Sequence, residues 1–177
     1  AARFPGARTA LGVEATEARL QALDRLGELR RYRYLLFSAH GYVSPTRPDL
    51  SAVVLGLRHR EPDTDGYVTA VEWTGYDLRS DLIVVSACDT ATGPVLTGEG
   101  VMGLPFGLLV AGNVNTLLTL WPVDDRATAH FVTRLFGRLA DGAAPARALA
   151  ETRREMMREP RWAHPRFWAP FVLVGPG

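Results

Sequence analysis

The stretch "DLIVVSAC", residues 81–88, constrains the fold more than any other part of this sequence. Its four consecutive apolar residues, Leu82–Val85, leave no polar position for a solvent-facing side, and most of them are β-branched. A short strand that is apolar on both faces is typical of the centre of a parallel sheet, where helices cover both sides. The stretch therefore predicts an α/β fold built on a largely parallel sheet.

The rest of the chain alternates between apolar strand patterns and helical patterns, as such a fold requires. Further strands are predicted in four apolar segments, residues 33–41, 50–57, 115–121 and 168–175. Helices are predicted in four segments, residues 14–31, 100–113, 124–142 and 145–159. The turn-rich segment 60–67 is predicted to be a loop. Asp124 or Asp125 would cap the third of these helices, and Pro145 would open the fourth.

The composition limits the class of function. A chain of 177 residues that is 47% hydrophobic and 22% charged is typical of a single soluble globular domain. Its net charge of +1 does not indicate a nucleic-acid or membrane-surface partner. One cysteine rules out an internal disulfide, and no apolar run reaches about 18 residues, so a cytoplasmic protein is expected. The lack of lysine excludes a P-loop nucleotide site, and we expect no cofactor and no metal.

Two residues with catalytic chemistry follow predicted strands at equivalent places. His40 comes after "YLLFSA", and Cys88 comes after "LIVVSA", 48 residues later. The carboxyl ends of parallel strands gather ligands, so neighbouring strands would bring these side chains together. An imidazole can activate a thiol as a nucleophile, and Gly41 would let backbone N–H groups approach a substrate carbonyl. From the residues alone, a structural cysteine and a structural histidine remain an equal alternative.

Five longer blocks carry a resemblance to a known family: "FSAHGYV", "VVSACDTATG", "TGEGVMGLPFGLLVAGNVNTLLTLWPVDDRATAHFVTRLFGRLADG", "PARALAETRREM" and "HPRFWAPFVLVG". They are similar to the CHAT domain family, caspase-like cysteine peptidases related to separases and caspases, over nearly the whole chain. The resemblance implies a caspase-like, mostly parallel sheet flanked by helices on both faces. It implies Cys88 as nucleophile and His40 as catalytic histidine. It also implies an oxyanion hole from the backbone N–H groups of Gly41 and Cys88.

The resemblance also places Ser86, two residues before the cysteine, in the substrate pocket. Relatives that cleave after Arg or Lys, such as metacaspases, have an Asp at that position. A serine there predicts a neutral residue before the cleaved bond, because a desolvated cation would lack a counter-ion. Asp89, Asp124 or Glu99 could instead reach the pocket and restore a preference for basic residues. Asp89 could also tune the nucleophile, although a turn-forming Asp is the favoured interpretation. Glu99 could order the active-site loop, with a solvated turn as an equal alternative.

Other notable residues have simpler structural explanations. Trp121 and Asp124 fit a family motif, but the end of a strand and a helix cap account for them. The remaining histidines are predicted to be non-catalytic: His59, His130 and His164. The two methionines of the last predicted helix are predicted to pack against its neighbours: Met156 and Met157.

The sequence therefore predicts a cysteine endopeptidase that cleaves protein or peptide substrates through a Cys-His dyad. The alternative is a catalytically silent interaction module, whose mark would be a missing His or Cys, and this chain has both. Family members normally have an opening strand and helix before a segment such as "FPGARTALGVEAT". We therefore expect residues 1–177 to be a single domain without its first strand, at the C-terminal end of a longer protein. An upstream repeat or sensor domain, or a partner protein, would regulate it.

Overall fold

The computed structural model describes residues 3–44, 46–57, 64–86 and 99–177. Within these ranges the chain forms seven strands: β1 (Tyr34–Phe37), β2 (His40–Tyr42), β3 (Ala52–Val54), β4 (Tyr67–Thr69), β5 (Leu82–Val85), β6 (Asn115–Thr119) and β7 (Phe171–Val174). The same ranges contain five α-helices: α1 (Glu17–Arg25), α2 (Ala70–Trp73), α3 (Glu99–Val110), α4 (Asp125–Ala140) and α5 (Pro145–Arg158). A 3₁₀ turn at Pro48–Leu50 lies between β2 and β3.

The main sheet has four strands in the order β1-β5-β6-β7. Strand β5 runs parallel to both β1 and β6, and β7 is antiparallel at the far side of β6. All four residues of β5 are buried, as expected for a strand with a neighbour on each side and helices on each face. The prediction that this stretch is a central strand of a mostly parallel sheet is confirmed.

Helices cover both faces of the main sheet, and each face has its own hydrophobic core. On one face, α1, α2 and α3 pack against the sheet, with these central residues: Trp73, Ile83, Val85, Leu108 and Leu118. On the other face, α4 and α5 pack against a second set: Leu82, Val84, Phe131, Met156 and Phe171. Alternate residues of β5 therefore serve opposite cores, which explains why the whole stretch is apolar.

A second, smaller sheet was not predicted. It is antiparallel, has the order β2-β3-β4, and contains the segment predicted as a strand at residues 50–57. The predicted strand at 33–41 is in fact two strands, β1 and β2, which belong to different sheets. Strand β4 and helix α2 were also missed. Strands β2, β3 and β4 have only three residues each, which is too short for a hydrophobic period to be read from the sequence.

The helices lie close to where the sequence placed them. Asp124 caps α4, and Pro145 opens α5, as predicted. Helix α1 is shorter than the predicted 14–31, because Gly27 takes a positive φ of 65° and ends it. The backbone N–H of Glu28 donates to the carbonyl oxygen of Leu23 at 2.8 Å, the bond that closes a Schellman turn.

Across the described ranges, no helix combines the length and apolar character that crossing a bilayer requires.

Candidate active site

The carboxyl ends of β1 and β5 lie side by side, and this is the edge where the sequence placed the catalytic residues. Phe37 and Val85 are register partners at the ends of the two strands. The backbone N–H of Ser86 donates to the carbonyl oxygen of Phe37 at 2.9 Å, which continues the pairing one residue further. His40 follows Phe37, and Cys88 follows Val85, at the same offset of three residues. Cys88 itself lies outside the described residues, as does Asp89.

His40 does not continue β1 but is the first residue of β2. The chain leaves the main sheet after Phe37, and His40 pairs with Val54 of β3. His40 is an exposed residue. Gly41 is the middle residue of β2 and lies opposite Val53. The second sheet thus determines where the candidate histidine stands relative to the main sheet.

Ser86 and Glu99 mark the two ends of the segment that carries Cys88. Ser86 directly follows β5 and is only 5% exposed. Its backbone is fixed by the hydrogen bond to Phe37. Glu99 is the first residue of α3. The segment between them is therefore attached to the central strand at one end and to a long helix at the other.

The residues with simple structural explanations have structural partners. The indole N–H of Trp121 donates to the carbonyl oxygen of Arg166 at 3.3 Å. The Asp124 carboxylate accepts from the backbone N–H groups of Arg126 and Ala127, at 3.0 and 3.1 Å. Both hydrogen bonds to the Asp124 carboxylate are those of a helix N-cap, as the sequence predicted.

Two of the three histidines predicted to be non-catalytic are described, and both have local structural contacts. His130 lies on α4 with its Nε2 atom 3.1 Å from a carboxylate oxygen of Glu159, and its ring lies beside Trp162. His164 accepts a hydrogen bond from the backbone N–H of Arg166 at 3.2 Å, which caps a 3₁₀ turn. His59 lies outside the described residues.

The predicted packing of the two methionines holds for one of them. Met156 is completely buried in the core beneath α5. Met157 is 50% exposed, so the prediction is wrong for this residue. The two are adjacent on a helix, where neighbouring residues point in directions about 100° apart, and only one of them faces the sheet.

One buried charge was missed by the sequence analysis. Glu17, at the first turn of α1, is only 2% exposed, and its carboxylate accepts from the backbone N–H groups of Asp65 and Gly66 at 3.1 and 2.9 Å. This ties α1 to the loop before β4. Burial, followed by the negative charge of Glu17, raises the pKa of Tyr76 well above its ordinary value. No spacing signal in the sequence distinguishes this glutamate from the solvated charges around it.

The described part of the chain contains no group of three or more His, Cys, Asp or Glu side chains that could hold a metal ion.

Comparison with known proteins identifies the family. The family model described as "CHAT domain" matches residues 1–176. Among curated proteins, "Tetratricopeptide repeat protein 28" of Mus musculus is 32% identical over 108 residues, and that of Homo sapiens is 30% identical over 108 residues. These alignments cover 61% of this chain but only 4% of the length of either relative. The chain belongs to the CHAT domain family, and its mostly parallel sheet with helices on both faces is the caspase-like architecture.

Proposed function

We propose that this domain is a cytoplasmic cysteine endopeptidase acting on protein or peptide substrates, with Cys88 as nucleophile and His40 as its acid–base partner. The observation that supports this most is the pairing of Phe37 with Val85 at the ends of adjacent parallel strands. Both candidates follow this pair at the same offset of three residues, which supports a shared site at this edge of the main sheet. Membership of a caspase-like, peptidase-related family supports the same chemistry. The single cysteine fits a reducing compartment.

The proposed reaction has two steps. The Cys88 thiolate sulfur bonds to the scissile carbonyl carbon, and the carbonyl electron pair moves to oxygen, where the backbone N–H groups of Gly41 and Cys88 stabilise it. The C–N bond then breaks, and the amine leaves with a proton from the His40 imidazolium, which produces a thioester. Water, losing a proton to the neutral imidazole, attacks the thioester carbon; the C–S bond then breaks, which releases the acid and restores the Cys88 thiolate and the His40 imidazolium.

Peptide cleavage by three variants tests this proposal. Cys88→Ala should abolish cleavage, and His40→Ala should reduce kcat/KM by about 10²–10⁴-fold, as expected for loss of a general acid–base. The matched control is His164→Ala, because His164 caps a 3₁₀ turn before β7 and should leave kcat/KM unchanged. Cleavage by Cys88→Ala at the wild-type rate, or equal activities of the His40 and His164 variants, would contradict the proposal.

We place a neutral residue before the scissile bond, because Ser86 is small, uncharged and buried at the end of β5. A cationic side chain docked beside it would lose its hydration without gaining a counter-ion. Cleavage of a mixed peptide library should therefore favour neutral residues there, and Ser86→Asp should shift the preference toward Arg and Lys. Strong wild-type selection for Arg, Lys or Asp would contradict this, and selection for Arg or Lys would point to Asp89, Asp124 or Glu99 as the group that sets specificity.

A repeat domain or partner is proposed to regulate the peptidase. The mouse and human relatives are tetratricopeptide repeat proteins by name, and this chain covers 4% of their length. Strand β1 lies at one end of the order of the main sheet, with β5 beside it and no further strand on its other side within the described ranges. We propose that an upstream strand pairs there in the intact protein. The intact protein should cleave peptides slowly until stimulated, whereas a high unstimulated rate equal to that of residues 1–177 would contradict this regulation.

A further inference from the structure

Helix α3 lies unusually close to two backbone segments, and glycines make this possible. A Cβ atom at Gly103 would be 2.0 Å from the carbonyl oxygen of Pro48, and one at Gly107 would be 2.1 Å from the carbonyl oxygen of Ala70. Real Cβ atoms essentially never come within 3.0 Å of another heavy atom of this kind. Any side chain at either position would therefore push α3 away from Pro48 or Ala70 by about 1 Å or more.

The segment under Gly103 is a hydrogen-bonded connection between β2 and β3. The backbone N–H of Ser51 donates to the carbonyl oxygen of Pro48 at 3.1 Å, and the Ser51 Oγ atom accepts from the backbone N–H of Ser44 at 3.2 Å. Ser44 and Ser51 are both buried. A displacement of Pro48 would therefore be transmitted to β3, which begins one residue after Ser51 and pairs with the strand that carries His40.

The segment under Gly107 belongs to the same unit. The backbone N–H of Ala70 donates to the carbonyl oxygen of Ser51 at 2.8 Å, so α2 and the β2–β3 connection are joined at the point where α3 contacts them. Helix α3 in turn begins at Glu99, at the end of the segment that follows β5 and carries Cys88. One helix thus links the two parts of the chain that hold the proposed catalytic residues.

We propose that Gly103 and Gly107 are positioning residues of the peptidase. This inference rests on the proposed function. The contacts of Gly103 and Gly107 set the separation between the start of α3, which follows the Cys88 segment, and the strand that carries His40. Two glycines four residues apart weaken a helix of 12 residues, so their presence on the contacting side of α3 has a cost in helix stability. A larger residue at either position would remove the close approach of α3 to Pro48 and Ala70.

The test compares two Gly→Ala substitutions that make the same chemical change in two helices of the intact protein. Gly103→Ala should lower kcat for peptide cleavage by about 10²-fold with little change in KM, since a shift of about 1 Å misaligns catalytic groups. Gly137→Ala, on α4, is the matched control, because its nearest contact for a new Cβ is a side-chain nitrogen of Arg3 at 3.5 Å. Its kcat should equal that of the wild type.

Titration of the active enzyme separates positioning from a general loss of folded protein. Loss of folded protein lowers only the titrated concentration, whereas a positioning defect lowers the kcat of each active molecule. If Gly103→Ala keeps the wild-type kcat while the wild type cleaves and needs both Cys88 and His40, the positioning role is wrong and the proposed function stands. If the wild type shows no cleavage that depends on Cys88, the proposed function fails first.

A second variant decides the matter if Gly103→Ala does not fold. Pro48→Gly loosens the 3₁₀ turn beneath α3 and adds no atom to the contact. It should lower kcat by about tenfold and leave KM unchanged, because the turn no longer holds β3 and β2 in one position. A wild-type kcat in a folded Pro48→Gly protein would overturn the proposal.

Discussion

Replacing Asp124 tests whether this residue acts as a helix cap or takes part in the chemistry of the site. Its carboxylate accepts hydrogen bonds from the backbone N–H groups of Arg126 and Ala127, and it stands at the N-terminus of the 16-residue α4. Losing a capping oxygen costs about 1 kcal/mol, and losing the negative charge at a helix N-terminus costs about 0.3–1 kcal/mol. Asp124→Ala should therefore lower the free energy of unfolding by about 1.5 kcal/mol.

The assay pairs urea and thermal unfolding with peptide cleavage. At about 2–4 °C per kcal/mol for a chain of this size, Asp124→Ala should lower Tm by about 3–6 °C. Asp124→Asn keeps the capping oxygen and loses only the charge, so it should lose about 0.3–1 kcal/mol and retain the wild-type kcat/KM. The capping interpretation is refuted if the Asn variant is as unstable as the Ala variant, or if it is stable but inactive.

Three further predictions concern the second core and the helices that cover it. Phe131 is fully buried and stacks on Phe171 with 3.7 Å between ring centroids, so Phe131→Ala should cost about 3–5 kcal/mol in urea unfolding, and a cost below about 1 kcal/mol would be inconsistent with this packing. The hydrogen bond from Arg138 lowers the pKa of Glu155 below its ordinary 4.5, so the stabilisation by this ion pair is present above about pH 4.5 and is lost on acidification. The loss of unfolding free energy in Arg138→Gln should therefore be smaller at pH 3 than at pH 7, and an equal loss at both pH values would contradict this. Gly137→Ala should stabilise the protein by about 0.5–1 kcal/mol through helix propensity, and a measured destabilisation would show an unexpected contact there.

The parts of the fold that could be predicted are those with a long or unambiguous pattern. Strand β5 is apolar at every position because its two faces serve different cores, and that requirement is visible in the sequence. Helix α4 has a capping Asp at its start and Gly142 after its end, and α5 has a proline in its first turn. In these segments the local signals and the tertiary packing favour the same structure.

The second sheet could not be predicted, because its strands are three residues long and their pairing is not local in sequence. Reading 33–41 as one strand placed His40 at the end of β1, whereas it opens β2 in a different sheet. Strands β1 and β5 are nevertheless neighbours, with Phe37 opposite Val85, as the interpretation of two adjacent strand ends requires. The contact between Gly103 and Pro48 depends on tertiary packing and leaves no pattern in the sequence.

The central claim is that Cys88 and His40 act together, and the pH dependence of Cys88 alkylation tests it most directly. The rate of reaction with iodoacetamide is followed by mass spectrometry on the peptide that contains Cys88, in the wild type, His40→Ala and His164→Ala. A nearby imidazolium favours the thiolate, so the wild type and the His164 variant should alkylate with an apparent pKa below the value of about 8.5 for a free thiol, and the His40 variant should move toward that value. A wild-type midpoint at or above about 8.5, unchanged in His40→Ala, would contradict the account.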